Sequence, residues 1–355
     1  MQEQISSISD FLTQGNFNFR IFDMGRRVTR LSNQLFEKIE NQQALYPSPF
    51  QQSAWIAVLF WDKHKTADEP IIWFLRFPID ELGYLQLSSR DAFIQQMVDQ
   101  LGVSLQEKQQ GKQVSDTLKE SPFAFKPNQD RLAIFHSKAA RELAKPASNY
   151  YAHTQKYLTG SIGYEQWEFL GLQGIADVVT RLDENNNEAN LAKAISSIPD
   201  TPLEIICNML EHVEPNRVLT EALIAKLKLE LETTKNITLL AALTRALSNS
   251  KPESLRINTW NILLESEVAS EIEVLAALSG RAWQDLMDDS LLKPFLTALA
   301  NCEQEQFNIL LIDLMAIPNM KEKVLKVMRS SDRTKSLQEK IGVFFQLLTG
   351  TNNAS

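Results

Sequence analysis

The stretch that decides the fold is NRVLTEALIAKLKLELETTKNITLLAALTRALS, residues 216–248. Leu219, Leu223, Leu227 and Leu231 recur at every fourth position, and Ile237, Leu240, Leu243 and Leu247 repeat the pattern after a polar break. Spacings of three and four put these side chains on one face of a helix, while a strand would need a period of two. The two stripes are separated only by a short polar turn, and a short turn makes the two helices antiparallel neighbours.

The same reading extends outward. Leu275, Leu278, Ala282 and Leu286 form a third stripe, Phe307, Leu310, Leu314 and Ile317 a fourth, and Leu337, Ile341, Phe344 and Leu348 a fifth. From Tyr164 onward the pattern predicts roughly ten helices of about 12–18 residues. Asp200-Thr201-Pro202 reads as a helix start. Ser270 with Glu273 and Asn319 with Glu322 read as capping boxes, and Pro215, Pro252, Pro294 and Pro318 fall near the joints. A pair of helices with its turns takes roughly 35–40 residues, the range of HEAT-like repeats. The expected class is an α+β head followed by an all-α array, an α-solenoid of antiparallel helix hairpins over 161–350. An irregular bundle is the competing arrangement, since no strict sequence repeat is present.

Residues 1–103 have a different texture. Phe17–Phe22, AWIAVLFW at 54–61 and IIWFLRF at 71–77 are rich in aromatic and β-branched residues and read as strands of an antiparallel sheet. The last two are almost continuously apolar, so both faces should be covered, and the polar Asp62–Pro70 suits a hairpin loop. Leu31, Leu35, Phe36 and Ile39, with Ser32 as cap, predict a helix, as do Phe93, Ile94, Met97 and Leu101. Gly83 allows a turn before the short apolar run Tyr84–Leu87. Residues 104–130 are polar and proline-containing and read as a linker or exposed loop. Leu132–Phe135 reads as a further strand, so that 131–160 returns to the sheet before joining the array.

Composition narrows the function classes. Among 355 residues the formal net charge is −8, which disfavours a surface that grips nucleic acid throughout. Twelve glycines are few for a chain of tight turns. The two cysteines, Cys207 and Cys302, lie in apolar helical patterns and read as buried reduced thiols, which fits a reducing cytoplasm. The first fifteen residues lack the basic and apolar regions of a signal peptide, and no apolar run approaches the length of a bilayer span.

The segments FRIFDMGRRV (19–28), RLAIFHSKAARELAKPAS (131–148), YLTG (157–160) and WEFLGLQGIADVV (167–179) together resemble an uncharacterised bacterial family, a domain of unknown function. The resemblance spans nearly the whole chain and implies that head and array occur as one unit. It implies no activity, cofactor or partner.

Chemistry is hard to find by motif. The sequence contains no P-loop, no G-x-G-x-x-G, no H-E-x-x-H, no C-x-x-C and no G-x-S-x-G. No residue is therefore assigned a catalytic, cofactor-binding or metal-binding role. His136 precedes Ser137, but neighbours in a strand point to opposite faces and would not meet. Two charged clusters are the candidate partner-binding residues: Arg26, Arg27 and Arg30 beside Asp23, and Lys321, Lys323, Lys326, Arg329, Arg333 and Lys335 in the basic stretch 321–340. Trp260 and Trp283 read as core residues or interface anchors. The expected function is a non-enzymatic interaction or scaffold protein of the cytoplasm that binds another protein through the helical array or a groove beside it, away from membranes. The alternatives are an enzyme with a site in the head or the crevice after it, and an RNA-associated factor using the basic patches. If the protein has a specific ligand, its place is expected near Ala147–Gly174, between the head and the array.

Overall fold

The computed structural model describes residues 5–64, 66, 70–107 and 121–348. The chain divides into two compact units, a head of Met1–Asn128, with which Ala316–Pro318 also group, and an array of Gln129–Met315 and Asn319–Ser355.

The head is built on a four-stranded antiparallel sheet: β1 (Phe17–Asp23), β2 (Thr29–Leu31), β3 (Ser53–Asp62) and β4 (Ile71–Pro78), in the order β2-β1-β3-β4. Period-two alternation sets the register. Ile21 faces Val58 and Val58 faces Trp73, while Phe19 pairs with Phe60 and Ile56 with Leu75. These side chains share one face and bury against three helices. They are α1 (Ile8–Gln14), α2 (Asn33–Glu40) and α3 (Leu87–Glu107), which contribute Ile8 and Leu12, Phe36 and Ile39, and Phe93, Ile94 and Met97. Trp73 sits at the middle, edge-on to Phe60 (4.6 Å between centroids) and Phe93 (5.7 Å). Ala57 and Leu59 on the opposite face of β3 are equally buried, as its continuous apolar run requires. Ser32 caps α2 by accepting from the Leu35 amide (3.1 Å).

Gly83, at φ +93°, makes the expected turn, and Tyr84–Leu87 after it makes a single bridge, Leu85 to Ile79, before α3 begins at Leu87. Two readings of this region change. The stretch 131–135 belongs to a helix, α4 (Gln129–Glu142), because its apolar residues continue at helical spacing through Ser137 and Ala139 on the buried side. A four-residue apolar run suits either structure, and the longer context decides. What does return to the sheet is the tail of the expected linker. The Arg76 amide donates to the Phe123 carbonyl (2.7 Å) and the Phe125 amide to the Phe74 carbonyl (3.1 Å), which pairs residues 123–125 with the outer edge of β4. The rest of that linker, 108–120, lies outside the described residues, as does the side chain of Leu101.

The array begins at Gln129, earlier than Tyr164. After α4 come α5 (Tyr151–Leu158), α6 (Leu172–Thr180), α7 (Asn187–Ala194), α8 (Asp200–Leu210), α9 (Arg217–Glu232) and α10 (Ile237–Leu247). They are followed by α11 (Glu253–Glu265), α12 (Ile272–Arg281), α13 (Asp289–Leu299), α14 (Gln304–Met315), α15 (Met320–Arg329) and α16 (Lys335–Leu348). Each helix packs on the helix two places further along the chain. The even series runs α4 to α6, α6 to α8 and so on to α16, and the odd series runs from α5 to α15. The result is two rows of stacked helices. The predicted stripes are the packing faces: Leu219, Leu223, Leu227, Leu240, Leu243, Leu247, Leu275, Leu278 and Leu286 are all fully buried, each contributing about 1.5–3 kcal/mol relative to exposure.

The caps are less regular than the sequence suggests. Asn216 and Asn236 accept from the Leu219 and Leu239 amides (3.1 and 3.2 Å). Ser270, by contrast, accepts from the Asn301 amide group and leaves α12 without a side-chain cap, and Asn319 is left-handed and uncapping. Pro294 lies inside α13 as its sixth residue and forfeits the amide bond to the Ser290 carbonyl. Cys207 and Cys302 are free and buried, and burial pushes the Cys207 thiol well up, leaving it unreactive. Among the described residues no helix is long and apolar enough to cross a membrane, and no cluster of His, Cys, Asp and Glu could hold a metal.

One buried carboxylate in the head has a measurable consequence. Glu40, at the end of α2, accepts from the Ile8 amide (2.7 Å), the Ser9 amide (3.1 Å) and the Ser9 hydroxyl (2.6 Å), so it tethers the first turn of α1. Burial outweighs these bonds and raises its pKa from 4.5 to about 7. The folded head therefore holds this proton more tightly than the unfolded chain does. The resulting stabilisation is complete below about pH 4.5, declines above it and is lost as pH rises through about 7, a change on the order of 3 kcal/mol. Denaturant titrations from pH 5 to 8 should show this loss in the wild type and a flatter profile in Glu40→Gln.

Candidate functional site

The α4 and α6 helices meet through a polar knot in an apolar contact. Asp177 interrupts the run GIADVVT of α6 and is 1% exposed. Its Oδ1 accepts from the Ser137 hydroxyl of α4 (2.5 Å) and from Arg181 Nη1 (3.0 Å), and its Oδ2 accepts from the Ser148 amide (2.8 Å). Arg181 Nη1 also donates to the Ser137 hydroxyl (2.9 Å), which shares a hydrogen bond with Thr180 (2.6 Å). One helical turn separates Asp177 from Arg181, so the pair is pre-aligned by the backbone. A buried carboxylate and a buried guanidinium are tolerable only as partners.

The Ser148 bond matters because it fixes the α4–α5 connection. That segment, with α5 and the end of α6, encloses a cleft of about 780 Å³ lined by Arg141, Lys145, Ser148, Tyr151, Arg181 and Glu184, among others. Arg141 reaches across to the Thr180 carbonyl and pairs with Asp183 (2.9 Å). That contact and its charge hold the exposed Asp183 carboxyl below its ordinary range. The Arg181 guanidinium lies 6.0 Å from the centre of the Tyr151 ring, whose hydroxyl accepts from Asn187 (2.8 Å). Of the stretch Ala147–Gly174, the residues that line this cleft are Ala147, Ser148, Asn149, Tyr151 and Ala152.

Two backbone features shape it. Lys145 N donates to the Ala140 carbonyl (2.8 Å) and ends α4 in a Schellman turn, with Ala144 at φ +53°, a position that favours glycine. A Cβ on Gly174 would lie 2.4 Å from the Thr154 hydroxyl and 2.8 Å from the Tyr150 carbonyl, so only glycine lets α6 approach α5 this closely.

The residues picked out from sequence lie elsewhere. Arg26 and Arg27 are 0% and 5% exposed. Arg26 donates to the Pro49 carbonyl (2.8 Å) and faces Phe50. Half-buried Arg30 donates to the Ile21 carbonyl and to Asn33 (both 2.9 Å). This cluster ties the head internally. Lys321, Lys326, Arg329 and Lys335 are exposed, and Lys323 and Arg333 half-buried. Lys323 and Lys326 both face Asp289 (3.6 and 2.5 Å), Lys335 faces Glu339 (3.8 Å) and Arg333 donates to the Met328 carbonyl. Trp260 is a core residue whose indole donates to Asp285 (2.7 Å), itself gripped by Arg256. His136 is exposed on α4 while Ser137 is buried against Asp177. The sequence did carry a signal for the cleft: an Asp within an apolar helical run, with an Arg four residues later.

Opposite stability changes should follow at the two backbone positions. Ala144→Gly should relieve a left-handed alanine and raise stability by about 0.5–1 kcal/mol. Gly174→Ala should force α5 and α6 apart and lower it by about 1–3 kcal/mol. Thermal unfolding of the two variants checks both signs.

No curated protein and no solved structure matches the chain. A family model described as protein of unknown function (DUF3549) matches residues 3–345, and since the match covers the head, the cleft and all but the end of the array, the chain belongs to that family.

Proposed function

We propose that this chain is a non-enzymatic interaction protein of the bacterial cytoplasm, and that its array is a HEAT-like stack that docks a partner protein. The observation that carries this reading is the packing rule of the array, in which each helix from α4 to α16 rests on the one two places along. A stack of this kind grows by neighbour contacts alone and devotes its length to surface, as repeat proteins that bind other proteins do. Fold analogy supports a binding role and names no partner.

The last helix offers a place to start. Val343 and Leu347 lie one turn apart on α16 and are 40% and 64% exposed. Apolar side chains left together on a surface are the usual anchors of an interface. A protein partner is favoured over RNA, because carboxylates stand beside several lysines of the 321–340 patch and weaken its field.

Affinity capture of the full chain from its native host, after mild cross-linking, tests the proposal. At least one protein should be enriched about tenfold over a Val343→Asp/Leu347→Asp variant of equal thermal stability. Equal recovery with both baits, or capture of RNA in place of protein, would overturn it.

A further inference from the structure

The knot at Asp177 leaves one group unused. Arg181 is 3% exposed, and its Nη1 is fully engaged by Asp177 and Ser137, yet its Nη2 is buried with no hydrogen-bond partner. Leaving a buried donor of a charged group unmade is costly, more so than for a neutral amide. Arg181 also lines the 780 Å³ cleft. Arg181 is therefore a residue of the cleft lining, held by Asp177 and lying against the Tyr151 ring, with one buried donor unused beneath that lining. A donor immobilised in this way loses little freedom when an acceptor arrives.

The surroundings define what that acceptor is. The Ser148 hydroxyl accepts from the Tyr150 amide (3.3 Å) and has its own proton to give into the same cleft. Lys145 adds positive charge beside the cleft, while the charge of Arg141 is met by Asp183 (2.9 Å). Against them stands Glu184, whose carboxylate lies 3.9 Å from Arg181 Nε and 3.7 Å from Arg141 Nη2. With Asp177 against Arg181 and Asp183 against Arg141, the charges around the cleft are close to balance, which admits an acceptor group with a single negative charge more readily than one with two. A phosphate dianion would meet Glu184 at close range, and a neutral amide would forgo the charge-assisted bond.

We infer that the cleft between the α4–α5 connection and the end of α6 is a carboxylate-binding site, with Arg181 Nη2 and the Ser148 hydroxyl as donors. The carboxylate belongs either to a small organic acid or to an acidic peptide, and the chemistry at Arg181 is the same for both. The inference stands independently of whether α16 docks a partner.

Isothermal titration calorimetry on the full chain at pH 7 tests it with four probes: glutarate, an acetylated tetraglutamate peptide, the neutral glutaramide and inorganic phosphate. At least one carboxylate probe should bind about tenfold more tightly than glutaramide and more tightly than phosphate, because a site built around a charged hydrogen bond rejects the analogue that lacks it. Preference for glutarate marks a metabolite site and preference for the peptide a docking site. Arg181→Gln should abolish the preference. Should that variant fail to fold, Ala152→Glu serves in its place: residue 152 is exposed and lines the cleft, so the added carboxylate repels the ligand without disturbing the core. Equal binding of glutarate and glutaramide, tighter binding of phosphate, no binding of any probe, or unchanged binding in Ala152→Glu would overturn the assignment.

Discussion

A helix of eight to sixteen residues is not stable alone in water, so every helix of the array depends on having its apolar stripe covered. This constraint organises the C-terminal unit. One neighbour in each direction along its own row covers most of the stripe, and consecutive helices close the gap between rows. Trp260 shows how tightly the rule applies. Its indole is wholly buried, and its one polar atom is satisfied by Asp285, which Arg256 holds from α11. Even the polar atoms of the stack are therefore drawn into joints between neighbours.

The Asp177–Arg181 pair departs from that economy. Asp285 uses the Arg256 guanidinium from two sides, with Nε at 3.0 Å and Nη2 at 2.8 Å, and the remaining Nη1 bonds the Ser250 carbonyl. Arg181 is held through Nη1 alone, and its Nη2 is left without an acceptor. Both arginines face an aspartate, Arg256 half-buried and Arg181 buried, and Arg181 lines the cleft at the end of α6. The unused Nη2 of Arg181 is what separates two otherwise similar arginine–aspartate joints.

The head works by a different constraint. Its sheet must cover both faces and both edges. Aromatic residues from three helices fill one face, and residues 123–125 close the β4 edge through main-chain hydrogen bonds. Arg26 and Arg27 serve the same end. Both are buried, and Arg26 satisfies the Pro49 carbonyl while lying against Phe50, which is how its guanidinium can sit in a core.

The sequence by itself determined what depends on local periodicity. The helical stripes from Leu219 to Phe344, the three long strands and the Ser32 cap are all set by side chains within a turn or two of one another, and such patterns are visible in one dimension. Only the tertiary structure decided what depends on a distant partner. Which elements cover the Leu132–Phe135 face of α4, namely α6 and α8, was settled in three dimensions. The polar tail at 123–125 became an edge because β4 had unpaired main-chain groups. Arg26 and Arg27, which read as surface charge, went inside, while Arg181, hidden in an apolar helix, came to line the cleft. Burial is a property of what lies opposite in space, and hydrophobic spacing along a chain shows which face turns inward without showing what meets it there.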